Sequence, residues 1–470
     1  MVDPGNKALS GNPTIVAIAT PPGPGGIGIV RLSGPNAAAI ISELFIPIKP
    51  LSGPLTSHRF YYGWISDSST AQKIDEVLVV FMQAPRTYTR EDVVEIHCHG
   101  NFLILQKILT LCQNCGARLA EPGEFTKLAF LNGRIDLTQA EAVLELLTAK
   151  TSKGLQLAVE QLKGGLHQHI QSVCDRLISI KAVLEVAIDF PDDDIDIIQP
   201  NSIKKQINQE IAPVLENLIS SADNGKVYKD GVSVVIIGRP NVGKSSLLNA
   251  LLREDRAIVT ALPGTTRDTI EEHLNIKGMP VRVIDTAGIR TSTEAVEEIG
   301  IQRTRAKLAE ADLALMMLDS SGPISREDLQ LFESIGDKPL IVVANKFDIS
   351  TTTLLTDLEA HFSGHEIVRT SATNNQGISQ LEDAVFSMVT GHFAGWDPGH
   401  AVAPNARHQA AMTNSLSACH RLVEGLEHNL PPDLLAIELQ TALDHLGDIV
   451  GYTTTEEILD KIFGEFCIGK

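Results

Sequence analysis

The octapeptide Gly238-Arg-Pro-Asn-Val-Gly243-Lys244-Ser245 directly follows a β-branched run, Val232 to Ile237, and this pairing leaves few folds open to the chain. A glycine-rich turn leading from a strand into a helix matches GxxxxGK[ST], whose backbone N–H groups close around phosphate oxygens. Lys244 neutralises the β and γ charges, and Ser245 supplies a hydroxyl to Mg²⁺. Four further pieces follow in fixed order: Thr265-Thr266, Asp285-Thr-Ala-Gly288, Asn345-Lys346-Phe-Asp348 and Ser371-Ala372. The third piece chooses the base. Asp348 can accept from the guanine N1–H and the exocyclic amine, which adenine lacks, while Asn345 can reach the opposite edge of the ring. Adenine would leave a buried carboxylate unpaired, a discrimination of roughly 1–3 kcal/mol or more. The expected ligand is GTP, with Asn241, Val242, Gly243 and Ser246 of the phosphate loop beside Lys244 and Ser245.

Around the loop the sequence has its own rhythm. Apolar runs at 232–237, 281–285, 313–319, 339–345 and 366–370 alternate with helical patterns at 245–252, 299–310 and 376–390. This predicts a doubly wound parallel sheet over 231–391, with the ligand loops at the carboxyl ends of its strands. On either side the pattern turns helical. Thr138-Gln-Ala-Glu141 reads as a capping box opening an apolar-periodic stretch to Ile188, with breaks at Gly154 and Gly164-Gly165. A helix is expected at 202–220, and others at 405–428, 433–446 and 454–463, with breaks at Pro431-Pro432 and around Gly451 and Thr453. Neither flank can bury its apolar face alone, so 134–230 and 392–470 are expected to pack together as one helical domain that the nucleotide module splits.

Residues 14–133 read as an α+β domain. Short alternating runs, Ile15 to Ile18, Gly28 to Leu32, Glu76 to Phe81 and Val93 to His97, accompany a helix near 101–114. Residues 1–13 read as a flexible tail without the apolar core of a signal peptide or the arginine bias of a transit peptide. The longest apolar runs fall short of a membrane helix, and six cysteines spread over 470 residues suggest reduced thiols and a cytoplasmic home. A net charge of −19 argues against broad binding of nucleic acid driven by phosphate neutralisation, so any RNA contact must be local.

Three other constellations have blander readings. His97-Cys98-His99 with Cys112 and Cys115 has zinc-ligand residue types, but on a strand Cys98 points away from the two histidines, and a buried thiol pair is the better reading. The run Pro191 to Asp196 reads as a turn with carboxylates at a helix N-terminus. Cys467-Ile-Gly-Lys470 is a poor prenylation box, because Gly469 is not aliphatic.

Taken together, Ala19 to Gly34, Glu121 to Asn132, Ile188 to Asp192, the nucleotide motifs and the terminal Cys467 to Lys470 closely resemble the MnmE (TrmE) family of tRNA-modification GTPases. The resemblance covers residues 14–470. It implies an N-terminal domain that binds a one-carbon tetrahydrofolate, the 5-formyl or 5,10-methylene form, and forms a homodimer. It also implies a FAD-containing partner, MnmG, with which the enzyme adds a carboxymethylaminomethyl-type group to carbon 5 of the wobble uridine of certain tRNAs. The family pattern places Arg31, Glu95, Arg134 and Lys470 at or near the folate, and makes Cys467 a candidate active thiol. A pteridine offers an amide-and-amine edge suited to a carboxylate, and the anionic tail suits Arg or Lys.

For hydrolysis, Ile289 stands where Ras-type switches carry a water-orienting glutamine. The family pattern gives that role to Glu297. It replaces an arginine finger with K⁺ held by Asn241, Thr260, Leu262 and Thr265, while Thr266 joins Ser245 on Mg²⁺ and Asp285 acts through water. Arg267 and Arg290 are alternative phosphate ligands. Two rival functions stay open at this point: a ribosome-assembly GTPase, and a regulatory switch without modification chemistry of its own.

Overall fold

The computed structural model describes residues 13–51, 53–190, 198–254, 272–284, 308–350, 352–391 and 402–470. The chain divides into two compact units: one takes residues up to Leu144, His167–Ile198 and Glu424–Lys470, and the other takes Glu145–Leu166 and Gln199–Val423.

The first unit is built on seven strands: β1 (Ile15–Ile18), β2 (Gly25–Ser33), β3 (Phe45–Pro47), β4 (Arg59–Ser66), β5 (Lys73–Met82), β6 (Val93–Gly100) and β7 (Arg118–Leu119). Their order is β3-β4-β5-β6-β2-β1-β7, with only the short β1/β7 pair parallel. Alternation decides the two faces. Val30, Leu32, Val77, Val79, Val94, Ile96 and Cys98 point into a core closed by helices Ala37–Leu44 and Phe102–Asn114, the latter through Leu105, Ile108, Leu111 and Cys112. The intervening residues Arg31, Glu95 and His97 occupy the opposite face. The helix expected near 101–114 starts at Phe102, and Asn101 caps it by accepting from the Leu103 N–H at 2.9 Å. Sequence reading missed β3, β4 and the helix Ala37–Leu44.

Helix Glu124–Leu131 leads into Leu137–Thr148. The capping box here is set two residues earlier than expected. Asp136 Oδ1 accepts from the Gln139 N–H at 3.0 Å, and Gln139 Oε1 accepts from the Asp136 N–H at 3.1 Å, while Thr138 is fully buried inside the first turn. Aspartate reaches the third N–H as well as threonine does, so Asp136-Leu-Thr-Gln139 displaced the later motif. Leu137 and Ala140 then pack with Leu459, Phe463 and Phe466, joining residues from the two helical flanks in one apolar cluster.

In the second unit the expected break at Gly154 is absent. Helix Ser152–Leu162 runs through it, capped by Thr151, whose Oγ1 accepts from the Gly154 N–H at 3.1 Å. The helix expected at 202–220 is three segments: Pro200–Gln206, a π turn at Ile207–Ile211, and Ala212–Lys229.

Six strands follow: β8 (Val232–Ile237), β9 (Glu272–Ile276), β10 (Met279–Ile284), β11 (Leu313–Asp319), β12 (Leu340–Asn345) and β13 (Glu366–Arg369), ordered β13-β12-β11-β8-β10-β9. All neighbours are parallel except β9/β10, so the expected parallel sheet carries one antiparallel edge hairpin that sequence reading missed. Strands β8 and β12 are buried at every position, as a sheet covered on both faces requires. Helices Lys244–Glu254 and Ile378–Thr390 cover one face; Arg326–Ile335 and Thr352–His361 cover the other.

Burial pushes the thiols of Cys98 and Cys174 up to about 11 and those of Cys112 and Cys419 up to about 12, and raises Cys115; Cys467 is exposed. Among the described residues no helix is long and apolar enough to cross a membrane.

Candidate nucleotide and folate sites

The parallel order of β8, β11, β12 and β13 brings four loops to the carboxyl ends of the strands. The phosphate loop leaves β8 at Gly238, whose φ is +152° and whose Cβ, if present, would lie 2.5 Å from the Met317 carbonyl oxygen. Asn241 takes a left-handed φ of +66°, and its side chain is exposed. Lys244 Nζ donates to the carbonyls of Gly238 and Arg239, each at 2.8 Å, and burial lowers its pKa. Ser245 is exposed and Ser246 half-buried in the first turn of helix Lys244–Glu254, while Val242 is buried beneath them.

Asn345 ties three loops together. It is 2% exposed, its Nδ2 donates to the Val242 carbonyl at 2.8 Å, and its Oδ1 accepts from the Ala372 N–H at 3.1 Å and from Thr370 Oγ1 at 3.2 Å. Gly243 must be glycine beside it, since a Cβ there would sit 2.2 Å from Asn345 Nδ2. Lys346, left-handed at φ +61°, donates to Asp319 Oδ2 at 2.6 Å. Burial would raise the Asp319 pKa, but hydrogen bonds from Lys346 and Ser321 prevail and hold it below the usual carboxylate range. Asp348 is exposed, with Oδ2 accepting from Asn374 Nδ2 at 3.1 Å. Ser371 is buried and closes its loop by donating its N–H to the Gln376 carbonyl at 2.9 Å.

Sequence reading missed Asp319, the in-register neighbour of Asn345, and Asp328, whose Oδ1 accepts from Arg239 Nε at 2.8 Å. The first could have been found as the polar end of an apolar run. The second depends on a helix cap 89 residues away. Thr260, Leu262, Thr265, Thr266, Arg267, Asp285, Gly288, Ile289, Arg290 and Glu297 lie outside the described residues, as does the acidic run at 191–196.

In the first unit, Arg31 and Glu95 are cross-strand partners on β2 and β6. Arg31 Nε and Nη2 donate to Glu95 Oε1 at 2.9 and 2.8 Å, and Glu95 Oε2 meets His97 Nε2 at 3.2 Å. The terminal segment joins them. Ile468 bridges to Pro122, the Phe125 N–H donates to the Lys470 carbonyl at 3.2 Å, and Gly469, at φ +97°, passes so close to β1 that a Cβ would lie 2.3 Å from the Ile18 carbonyl oxygen. Burial lowers the Lys470 pKa and Arg31 lowers it further, while Glu95 and Cys467 oppose the shift.

Arg31, Glu95, Cys467 and Lys470 are therefore neighbours although 439 positions separate the first from the last. Two cations against one carboxylate suit an anionic ligand. No described contact links Arg134 to this group: its guanidinium lies 4.6 Å over the Tyr88 ring, and its Nη1 donates to the Tyr88 carbonyl at 3.2 Å. Cys98 faces the core and donates to the Gly28 carbonyl, whereas His97 and His99 bind Glu95 and Asp75 on the other face.

Comparison with known proteins agrees with this layout. Residues 14–134 match the family profile described as "GTP-binding protein TrmE N-terminus", and residues 137–467 match "MnmE helical domain". The chain is 48% identical over 466 residues to "tRNA modification GTPase MnmE" of Desulfotalea psychrophila, covering 98% of both chains. It is 45% identical over 457 residues to the protein of the same name from Natranaerobius thermophilus, covering 97% of this chain and 99% of that one. The corresponding protein of Geotalea uraniireducens is 47% identical over 457 residues, again covering 97% and 99%. With one profile and three relatives spanning most of its length, the chain belongs to the MnmE family of tRNA modification GTPases.

Proposed function

We propose that this protein hydrolyses GTP and binds a one-carbon tetrahydrofolate, and that with a flavoprotein partner, MnmG, it adds a carboxymethylaminomethyl-type group to carbon 5 of the wobble uridine of certain tRNAs. The observation that carries the reading is the seating of Cys467 and Lys470 beside the Arg31–Glu95 pair, which puts an exposed thiol next to an ammonium and a paired guanidinium and carboxylate. Glu95 is held by Arg31 and His97, so its carboxylate is oriented to accept from an amide-and-amine edge such as that of a pterin. Lys470 and Arg134 suit the anionic tail, and Cys467 is the nucleophile or donor thiol. A bound reduced folate supplies the one-carbon unit. These donor types fit such a ligand.

Residues 231–391 form the GTPase module in this reading. The exposed Ser245, with Thr266 and Asp285, would hold Mg²⁺, which would offset phosphate charge, and Glu297 would orient the attacking water. Asn241, Thr260, Leu262 and Thr265 hold K⁺ where a finger arginine would otherwise act. Residues 14–133 bind folate and form the homodimer; 134–230 and 392–470 form the split helical domain; and the site of action is the cytoplasm. Calorimetric titration of the full chain with 5-formyl-tetrahydrofolate tests the proposal. Saturable binding that Glu95→Ala weakens is expected, and absence of binding refutes the folate half, returning the protein to a GTP-driven switch.

A further inference from the structure

Three residues of the phosphate loop hold a positive φ: Gly238 at +152°, Asn241 at +66° and Gly243 at +106°. Backbone in these regions keeps its shape only where its surroundings fix it. At one end the hold comes from Asn345, whose amide takes the Val242 carbonyl. At the other end it comes from outside the nucleotide motifs. Arg239 reaches across to helix Arg326–Ile335, where its Nε donates to Asp328 Oδ1 at 2.8 Å.

Asp328 is 1% exposed, and its two oxygens have separate duties. Oδ2 accepts from the Ser325 N–H at 3.0 Å and from Ser325 Oγ at 2.8 Å, and Ser325 Oγ accepts from the Asp328 N–H at 3.2 Å, which completes a capping box. A cap of this kind needs an acceptor but no charge, since glutamine serves at that position as glutamate does. The charge has its use at the other oxygen, because a buried carboxylate is costly unless a cation compensates it. Burial within the pair is lopsided: the Arg239 side chain is 28% exposed. A guanidinium released from Asp328 can therefore move into water, and the loop takes up the change. Lys244 lies at the end of this chain of contacts. Its Nζ donates to the carbonyls of Gly238 and Arg239, each at 2.8 Å, so the residue tied to Asp328 also carries one of the two oxygens that hold the ammonium.

We propose that Asp328 is a positioning residue for Lys244 and that, through Arg239, it sets how long the guanine nucleotide is retained. The inference rests on the reading of Lys244 as the phosphate lysine. With the tie intact, the two carbonyls stand still and the ammonium is in place before a nucleotide arrives. Without it the loop must be ordered on binding, a cost that falls on GDP and GTP alike. Such a loss of uniform binding appears in retention and in KM more than in kcat.

The test is stopped-flow release of methylanthraniloyl-GDP from the full chain, joined to steady-state GTP turnover. Asp328→Asn keeps an acceptor for the cap and loses the charge-assisted bond, so release should be about tenfold faster and KM for GTP should rise by a similar factor, with a much smaller fall in kcat. Arg239→Met should match it, and the double variant should be no faster than either single one, because both break the same contact. Ser325→Ala disturbs the same helix start without touching Arg239, and should leave release within about twofold of the parent. Parental release from Asp328→Asn overturns the proposal. So does a double variant whose effect is the product of the two, which makes the residues independent, or a Ser325→Ala effect as large as that of Asp328→Asn, which makes it one of helix stability. Should Asp328→Asn fail to fold, Arg239→Lys and Arg239→Met decide: lysine keeps most of the retention, and equal loss in both overturns the tie. Lys244→Ala separates the two readings. If it binds GDP as the parent does, the phosphate-lysine reading falls; if it binds weakly while Asp328→Asn is normal, only the present inference falls.

Discussion

The amide of Asn345 joins the phosphate loop at Val242 to the base-side loop at Thr370 and Ala372, so its role is to set distances between ligand-bearing segments. Asp348, exposed, is the residue proposed to choose the base. Asp348→Asn is expected to shift preference from GTP toward xanthosine triphosphate, whose oxygen at carbon 2 needs a donor, and competition binding measures the shift. Asn241, left-handed and exposed, is expected to supply an oxygen to K⁺. Turnover should be faster in K⁺ than in Na⁺ at matched ionic strength, and Asn241→Ala should lose that difference while still binding GDP. At the other site the Lys470 ammonium is held below its ordinary pKa, first by burial and then by Arg31. With the folded value depressed, the native state gives up this proton at lower pH than the unfolded chain does. Stability therefore carries a penalty below the depressed value, and the penalty is relieved as pH rises from there toward the ordinary lysine range. Folate affinity moves the other way, because the cation is lost: it should decline on the alkaline side, and Lys470→Arg should flatten that decline in a titration series.

At the level of elements, the strands of the nucleotide sheet were readable because β8, β11 and β12 are buried on both faces and appear as unbroken apolar runs. The edge hairpin partner β9 was not, since Glu272-His-Leu-Asn-Ile276 mixes charge with two apolar residues and depends on β10 for its pairing. Likewise β4, with Phe60, Tyr61, Tyr62 and Trp64 in succession, hides its alternation behind aromatic residues on both faces. The misplaced capping box teaches the same lesson, because two overlapping motifs compete and only the start of the helix at Leu137 decides between them. Asp136→Ala should cost about 1 kcal/mol, read as a lower thermal midpoint, because it removes the Oδ1 that accepts from the Gln139 N–H while the backbone N–H of residue 136 still donates to Gln139. Thr138→Ala removes the hydroxyl that donates to Asp136 Oδ1 at 2.5 Å and should cost less than Asp136→Ala, because the Gln139 N–H keeps its acceptor.

For the whole molecule, the nucleotide motifs were legible as local strings, whereas the group proposed to bind folate was legible only through family resemblance, because Arg31, Glu95 and Lys470 meet by chain topology and by no spacing in sequence. Arg134 makes its described contacts with Tyr88. The two chemistries belong to different compact units and should separate on mutation. Cys467→Ser should leave GTP turnover intact and abolish the wobble-uridine modification, because a hydroxyl is a far weaker nucleophile than a thiolate. Mass spectrometry of tRNA nucleosides from cells carrying only that variant checks it. The contrast among the six thiols has a practical side. A thiol whose pKa is about 11 is ionised in only about one molecule in ten thousand at pH 7, so a maleimide dye offered at neutral pH should find Cys467 first, and the unmodified protein carries its own attachment point for a fluorophore that reports on events beside Lys470 and the Arg31–Glu95 pair.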